Sequence, residues 1–277
     1  MFDKAQDYDV SSDTEWKMHD DILSEEKIAE KTDNKYKIII FDKINSTNNY
    51  AKNIKKEEIK KPIIIIANEQ TEGRGRLGKT FFSPKDTGLY MSIVFSPDKS
   101  PEELFMLTII AAVSVCEAVI NITELPAEIK WVNDIFIGGK KICGILTEAE
   151  INYQSGKIEK AIVGIGVNTQ FPENNFPKEI ENIASAINSE KAERNILAAE
   201  IINKFEEYYQ ESDNKSIIEK YKKYSLVLNK KIRYIKNNTE YSATATDINE
   251  RGNLVVTLSD GTTDILNSGE ISIIPTE

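Results

Sequence analysis

A single histidine in 277 residues, His19, is the first constraint on the chemistry of this chain. It stands in a polar N-terminal stretch, so histidine-based catalysis and histidine zinc sites are not expected. Two cysteines, Cys116 and Cys143, are too few for a disulfide framework or a thiolate metal site, and they fit a reducing, cytoplasmic setting. Basic residues are outnumbered, 35 to 45, for a net charge of −10. Nucleic-acid binders usually present a basic face, so that role is disfavoured. Residues 1–31 contain no apolar segment of the kind a secretory signal needs. The longest apolar run, Leu104 to Ile120, is interrupted by Thr108, Ser114 and Glu117 and is short for a membrane span. A soluble protein without a membrane partner is expected.

What the chain does have is a core and one unusual loop. Forty per cent of residues are apolar, enough for one large domain or a large one plus a small one. Behind the unbroken run Ile63 to Ala67, which reads as a buried strand, three glycines and two arginines fall between Gly73 and Gly78. Glycine lets backbone N–H groups approach a ligand without a Cβ in the way, and arginine adds a permanent planar donor fork. The combination describes a loop that holds an anion, such as a phosphate.

Residues 1–35 are charged and unpatterned; a short helix over Ile22 to Glu30 is conceivable, but a flexible extension is the expectation. A strand at Lys37 to Phe41 precedes Asn45-Ser46-Thr47-Asn48-Asn49, a cluster of capping residues ahead of the helical stretch Tyr50 to Lys56. That cluster reads either as an N-cap or as a set of ligand-binding hydroxyls and amides at a helix start. Leu89 to Phe95 is a further strand, and Ser100-Pro101-Glu102-Glu103 opens an apolar, buried helix from Leu104. Strands near Ile129 to Ile137 and Ile142 to Glu150 flank a Gly138-Gly139 turn, and a third runs from Glu159 to Val167. Helices are expected at Arg194 to Tyr209 and Ser216 to Tyr224, then short alternating strands from Lys230. The fold class is α+β: a mixed, largely antiparallel sheet with helices over 36–227, then a small β-barrel over 228–277.

The loop admits three motifs. Gly73-x-Gly75-x-x-Gly78 fits a dinucleotide fingerprint, and Gly73 to Gly78-Lys79-Thr80 fits a P-loop. Both need a helix to begin at the last glycine, which Pro84 and Gly88 oppose. The third reading is a strap over an acyl-adenylate. Its partners are Lys130-Trp131-Val132-Asn133-Asp134, then Gly138-Gly139-Lys140-Lys141-Ile142-Cys143-Gly144, then Gly164-Ile165-Gly166-Val167-Asn168, with Gly269-Glu270-Ile271-Ser272 near the end.

This ordered set resembles the biotin protein ligase family, in the form without a DNA-binding domain. Val132 stands where the family usually has proline, and Phe81 where tryptophan is common. The resemblance implies a class II synthetase-like catalytic domain and an SH3-like C-terminal barrel. It implies condensation of biotin with ATP, accompanied by Mg2+, to biotinyl-5'-AMP and pyrophosphate, then transfer to a lysine of a biotin carboxyl carrier protein, such as that of acetyl-CoA carboxylase. By that resemblance Ser46, Thr47, Asn48, Gln70, Arg74, Gly75, Arg76, Lys141 and Gly144 would bind biotin. Gly73, Arg74, Arg76, Phe81, Phe82, Asn133, Lys141 and Asn168 would bind ATP, and Arg76 and Lys141 would be catalytic. Lys141 also passes as a solvated turn lysine, and Trp131 as core. About 36 residues precede the first catalytic strand without a helix–turn–helix and wing, so no operator binding is expected; a homodimer is left open. The rival functions are a lipoate or octanoate ligase of the same architecture, a non-catalytic biotin sensor and a P-loop switch.

Overall fold

The computed structural model describes residues 21–97, 99–211 and 213–274, so His19 lies outside the described residues. Seven strands form the main sheet: β1 (Lys37–Ile44), β2 (Ile63–Gln70), β3 (Gly88–Phe95), β4 (Glu128–Lys130), β5 (Asp134–Ile137), β6 (Lys140–Asn152) and β7 (Lys157–Asn168). Their order is β1-β2-β3-β7-β6-β5-β4. Only β1 and β2 pair in parallel; every other neighbour is antiparallel. The sheet is therefore mixed and largely antiparallel, as a succession of hairpins requires.

Both faces of the sheet are covered, and β2 shows why its sequence is continuously apolar. Ile64 and Ile66 join the main core, while Ile63 and Ile65 face the opposite way into a smaller cluster with Ala51, Ile54, Val94 and Ile162. Each such isoleucine contributes about 1.5–3 kcal/mol by leaving water. The smaller cluster lies under α2 (Thr47–Asn53), which Ser46 caps. The main core is built around α3 (Leu104–Thr123), with α4 (Arg194–Gln210) and α5 (Asn214–Lys223) alongside. Among the described residues α3 alone is long and apolar enough to cross a membrane, and here it is the buried central helix.

Two expectations from the sequence need correction. The segment 21–35 is not a loose extension over its described part. Helix α1 (Glu25–Lys31) buries Ile28 completely, Asn195 accepts from Ser24 N–H at 2.8 Å, and Asp21 pairs with the Arg194 guanidinium at 3.0 Å. The rest of the extension expected over 1–35, residues 1–20, lies outside the described residues. The strand expected over 129–137 is instead two strands with a turn at 131–133, because Lys130 pairs with Asp134. Asn133 holds that turn by donating to Ile145 O at 3.1 Å and accepting Ile145 N–H at its own carbonyl at 2.9 Å.

The C-terminal sheet comprises β8 (Lys231–Lys236), β9 (Thr239–Ile248), β10 (Leu254–Leu258), β11 (Thr263–Leu266) and β12 (Ile271–Ile273), in the order β11-β10-β9-β8-β12, all antiparallel. It meets the first domain at Gly252, whose carbonyl accepts from Trp131 Nε1 at 3.0 Å. A Cβ on Gly252 would stand 2.9 Å from Ile109, so a side chain here would push the sheet off α3. Trp131 is 3% exposed and packs in the core, and it also lines the cavity of the main sheet.

Candidate active site

A cavity of about 410 Å3 opens on the α2 face of the main sheet, within the size range of small-molecule sites. Its floor follows from strand alternation. Gly144 and Gly166 are paired across β6 and β7, with Leu146 and Gly164 the next pair on the same face. A Cβ on Gly166 would lie 2.6 Å from the Phe81 ring, and one on Gly164 would lie 2.2 Å from Asn48 Oδ1. The glycines thus let side chains from other segments rest directly on the sheet. From Gly164 to Asn168 the floor extends roughly 13 Å at strand spacing.

One end of this floor is a network of neutral donors and acceptors. Thr47 donates its N–H to Gln70 Oε1 at 2.8 Å, and Gln70 Nε2 donates to Ser83 Oγ at 3.0 Å. The Ser92 hydroxyl lies 2.7 Å from Asn48 Oδ1 and 2.8 Å from Thr47 Oγ1. Ser46 Oγ accepts from Asn49 N–H, which leaves its own proton for a ligand acceptor. Ser46, Thr47, Asn48 and Ser92 are all under 5% exposed. Behind them stands Glu148, bonded to Asn48 and ion-paired to Arg74 and Lys52. Burial alone would push the Glu148 carboxyl up, but the bonds from Lys52 and Asn48 and the Arg74 charge together hold it below the usual range.

The other end is cationic. Arg76 Nη1 donates to Asn133 Oδ1 at 2.8 Å, and Lys141 Nζ pairs with Asp134 Oδ1 at 2.8 Å. Asn133 Nδ2 also donates to Asp134, so the two cations share one anchored pair of side chains. Lys79 and Lys130 line the same end, and Glu270 comes from the C-terminal sheet to bind Lys79. Burial lowers the Lys130 ammonium, whose side chain lies over the Phe136 ring. The Lys79 ammonium holds the Glu270 carboxyl low. A concave site with several convergent cations suits a polyphosphate.

The loop that joins the two ends is neither a P-loop nor a dinucleotide turn. A single 3-10 turn, Arg76–Gly78, is followed by irregular chain with a turn at 85–87 before β3, so no helix begins at Gly78. Leu77, at φ 54°, is exposed at the tip. Of the residues singled out in the sequence, Ser46, Thr47, Asn48, Gln70, Arg74, Gly75, Arg76, Phe81, Phe82, Asn133, Lys141, Gly144 and Asn168 all line the cavity. Gly73 does not. It closes the base of the loop, where a Cβ would meet Phe81 O at 2.3 Å. Phe81 covers the glycine pair at mid-floor and meets Tyr90 edge-on, whereas Phe82 turns to Phe176. Asn168 braces the wall by donating to Ser185 O at 2.9 Å.

Sequence reasoning quoted Lys130 within a motif without giving it a role, assigned none to Ser92 or Glu148, and missed the segment 176–184, which supplies Phe176, Ile180 and Ile183 to the cavity. Ser92 had a signal, as the one polar residue in the apolar strand Leu89 to Phe95. The segment 176–184 is irregular and had none. It is tied down by Lys141, which donates its N–H to Ile183 O and accepts from Ser185 N–H, both at 2.8 Å.

Residues 40–168 match the biotin/lipoate A/B protein ligase family, and residues 227–273 match the biotin protein ligase C-terminal domain. Among curated proteins the chain is similar to the bifunctional ligase/repressor BirA of Bacillus subtilis, 32% identical over 63% of this chain and 54% of that protein. The match thus spans about half the length of that relative. It is also similar to the biotin–[acetyl-CoA-carboxylase] ligase of Mycobacterium tuberculosis, 24% identical over 76% of this chain and 78% of that one. Among solved structures, the biotin protein ligase of Aquifex aeolicus in complex with biotin and ATP superposes with a TM-score of 0.71 at 27% identity, covering 87% of this chain and 99% of that one. Two domain matches in chain order, over the cavity-bearing sheet and the C-terminal sheet, agree with that superposition. This chain belongs to the biotin/lipoate A/B protein ligase family and carries the biotin protein ligase C-terminal domain.

Proposed function

We propose that the chain is an ATP-dependent biotin protein ligase that forms biotinyl-5'-AMP and passes the biotinyl group to a lysine of a biotin carboxyl carrier protein. The observation that carries this reading is one cavity with a buried neutral polar cluster at one end and the Arg76–Lys141 cations at the other. A cyclic urea offers two N–H donors and a carbonyl acceptor, which suit the hydroxyl and amide groups of Ser46, Thr47, Asn48 and Gln70. The valerate chain would run along the glycine floor beside Phe81 and bring its carboxylate to Lys141. Gly75 and Arg74 would close the loop over it.

In the first step a carboxylate oxygen attacks the α-phosphorus of ATP, an O–P bond forms, and pyrophosphate leaves with its electron pair. No proton transfer is needed, which is consistent with a site that has no histidine. The residues' task is alignment and neutralisation: Lys141 between carboxylate and α-phosphate, Arg76, Lys79 and Lys130 toward the phosphates, Asn133 and Asn168 as polar anchors. An arriving phosphate would favour the charged form of Lys130. Phe82 and Phe176 offer the nucleotide an aromatic edge. In the second step the carrier lysine amine attacks the acyl carbon, the amide forms, AMP departs, and the amine proton is lost to solvent.

Among the described residues no group of three His, Cys, Asp or Glu side chains is arranged to hold a metal. Mg2+ would therefore enter on the triphosphate oxygens, where it supplies charge neutralisation. The expected setting is the cytoplasm, and the carrier of an acetyl-CoA carboxylase is the first acceptor to test.

The lipoate or octanoate reading is weaker because an alkyl or dithiolane group would leave the buried cluster at Ser46, Thr47, Asn48 and Ser92 without ligand partners. Pyrophosphate release from ATP should require biotin and be negligible with lipoate or octanoate. The reverse preference would transfer the chain to the lipoate branch, and binding of biotin without pyrophosphate would make it a sensor. The glycine floor gives a sharper check. Gly164→Ala should weaken biotin binding about tenfold by displacing Asn48 from its bonds, at a cost of about 1–3 kcal/mol in stability. Calorimetric titration with biotin tests this; an unchanged affinity would remove Asn48 from the biotin site.

A further inference from the structure

Glu148 lies beyond the cavity wall on β6, yet side chains from α2 and from the Gly73–Thr80 loop meet on it. Its Oε1 takes Lys52 Nζ from α2 at 2.8 Å and Arg74 Nη1 from the Gly73–Thr80 loop at 3.0 Å. Its Oε2 takes Asn48 Nδ2 from α2 at 3.0 Å and the same Arg74 nitrogen at 2.8 Å. Arg74 also donates to Asn49 Oδ1 at 3.3 Å, so the guanidinium lies between loop, helix and sheet. These are charge-assisted bonds on a carboxylate whose side chain is only 20% exposed, where they are worth more than at a free surface.

The carboxylate also sets the polarity of the neutral cluster. Asn48 Nδ2 is committed to Glu148 and to Leu146 O, so Asn48 Oδ1 must face Ser92 as an acceptor. The Ser92 hydroxyl then has the Asn48 Oδ1 acceptor fixed beside it at 2.7 Å, while the Thr47 hydroxyl donates to Gln70 Oε1 at 3.2 Å. A neutral or rotated group at 148 would release both the amide orientation and the loop.

We propose that Glu148 is a positioning residue for the ligand-binding end of the cavity: it latches the Arg74 loop onto α2 and fixes the Asn48 amide in the orientation a cyclic urea requires. The second half of this rests on the biotin reading; the latch itself does not. In the latched loop Arg74 and Arg76 are half-buried, whereas Lys79 is exposed at the outer side. An unlatched loop exposes two further tryptic sites, Arg74 and Arg76, beside the already exposed Lys79.

The test pairs two measurements on the full chain and its Glu148→Gln variant. Tryptic nicking within 74–79 in the absence of substrate should quicken by about fivefold or more in the variant, the loss of a charge-assisted bond being worth about that much. The KM for biotin in pyrophosphate release should rise about tenfold while the KM for ATP stays within about twofold, a split that general destabilisation would not produce. Arg74→Met should act in the same direction at Arg76 and Lys79, and the double variant should be no worse than either single one. It also carries the comparison if Glu148→Gln does not fold. Nicking that stays at the parental rate in a folded variant, or equal shifts in both KM values, would overturn the proposal. A parent chain with no biotin-dependent pyrophosphate release would sink the ligase reading alone, because the nicking comparison uses no substrate.

Discussion

Lys141→Ala should slow adenylate formation by about a hundredfold or more, the usual scale for removing one positioned charge from a developing phosphoryl transition state. The lysine is well placed for this. Its backbone is fixed on both sides by Ile183 O and Ser185 N–H, and its ammonium is oriented by Asp134 at 2.8 Å. The ammonium lies against Gly144, where even a Cβ would come within 3.3 Å of it and of the Phe81 ring. The structural cost should be small. The Lys141–Asp134 pair is partly exposed, at 30% and 23%, and such pairs contribute under about 1 kcal/mol. Asp134 would keep its bond from Asn133 Nδ2. The expected signature is thus a collapsed rate of biotin-dependent pyrophosphate release with a melting temperature changed by only a few degrees. Turnover near the parental rate would reduce Lys141 to a turn residue.

Arg76→Gly should have the opposite profile: the adenylate still forms but escapes. Arg76 reaches across the cavity mouth to Asn133 Oδ1 at 2.8 Å, and it sits in the one short turn of a loop otherwise free of regular structure. Removing it takes away a charge-assisted contact and a side chain that spans the opening, while Lys141 remains for the chemistry. Release of biotinyl-5'-AMP should rise about tenfold to a hundredfold, the equivalent of one such bond. Free biotinyl-5'-AMP acylates exposed lysines without selection, so an unrelated protein such as serum albumin should become biotinylated in the variant's presence. If stray labelling does not rise, Arg76 is not a retaining residue.

Much of this site could be read from the chain because its parts are local motifs. The Gly73–Gly78 loop, the Ser46–Asn49 cap and the paired glycines at 144 and 166 each announce themselves within a few residues. The strand and helix periods were strong wherever one face meets the core, as in Ile63 to Ala67 and Leu104 to Ile120. What the sequence withheld depends on partners far apart in the chain. The order of α1 rests on Arg194 and Asn195, more than 170 residues away. The break at 131–133 depends on Asn133 bonding to Ile145 across a hairpin. Glu148 reads as an ordinary charged residue on an alternating strand until Asn48, Lys52 and Arg74 are seen around it. The two-sided role of Phe81 and Phe82 was also out of reach: adjacent residues in extended chain point opposite ways, one to the glycine floor and one to Phe176.

The most direct test of the ligase reading is a mass spectrum of an apo biotin carrier domain after incubation with this protein, biotin, ATP and Mg2+. A single biotinyl addition, on the carrier lysine and dependent on all three additions, is the predicted result. An unmodified carrier, with no pyrophosphate released, would contradict it.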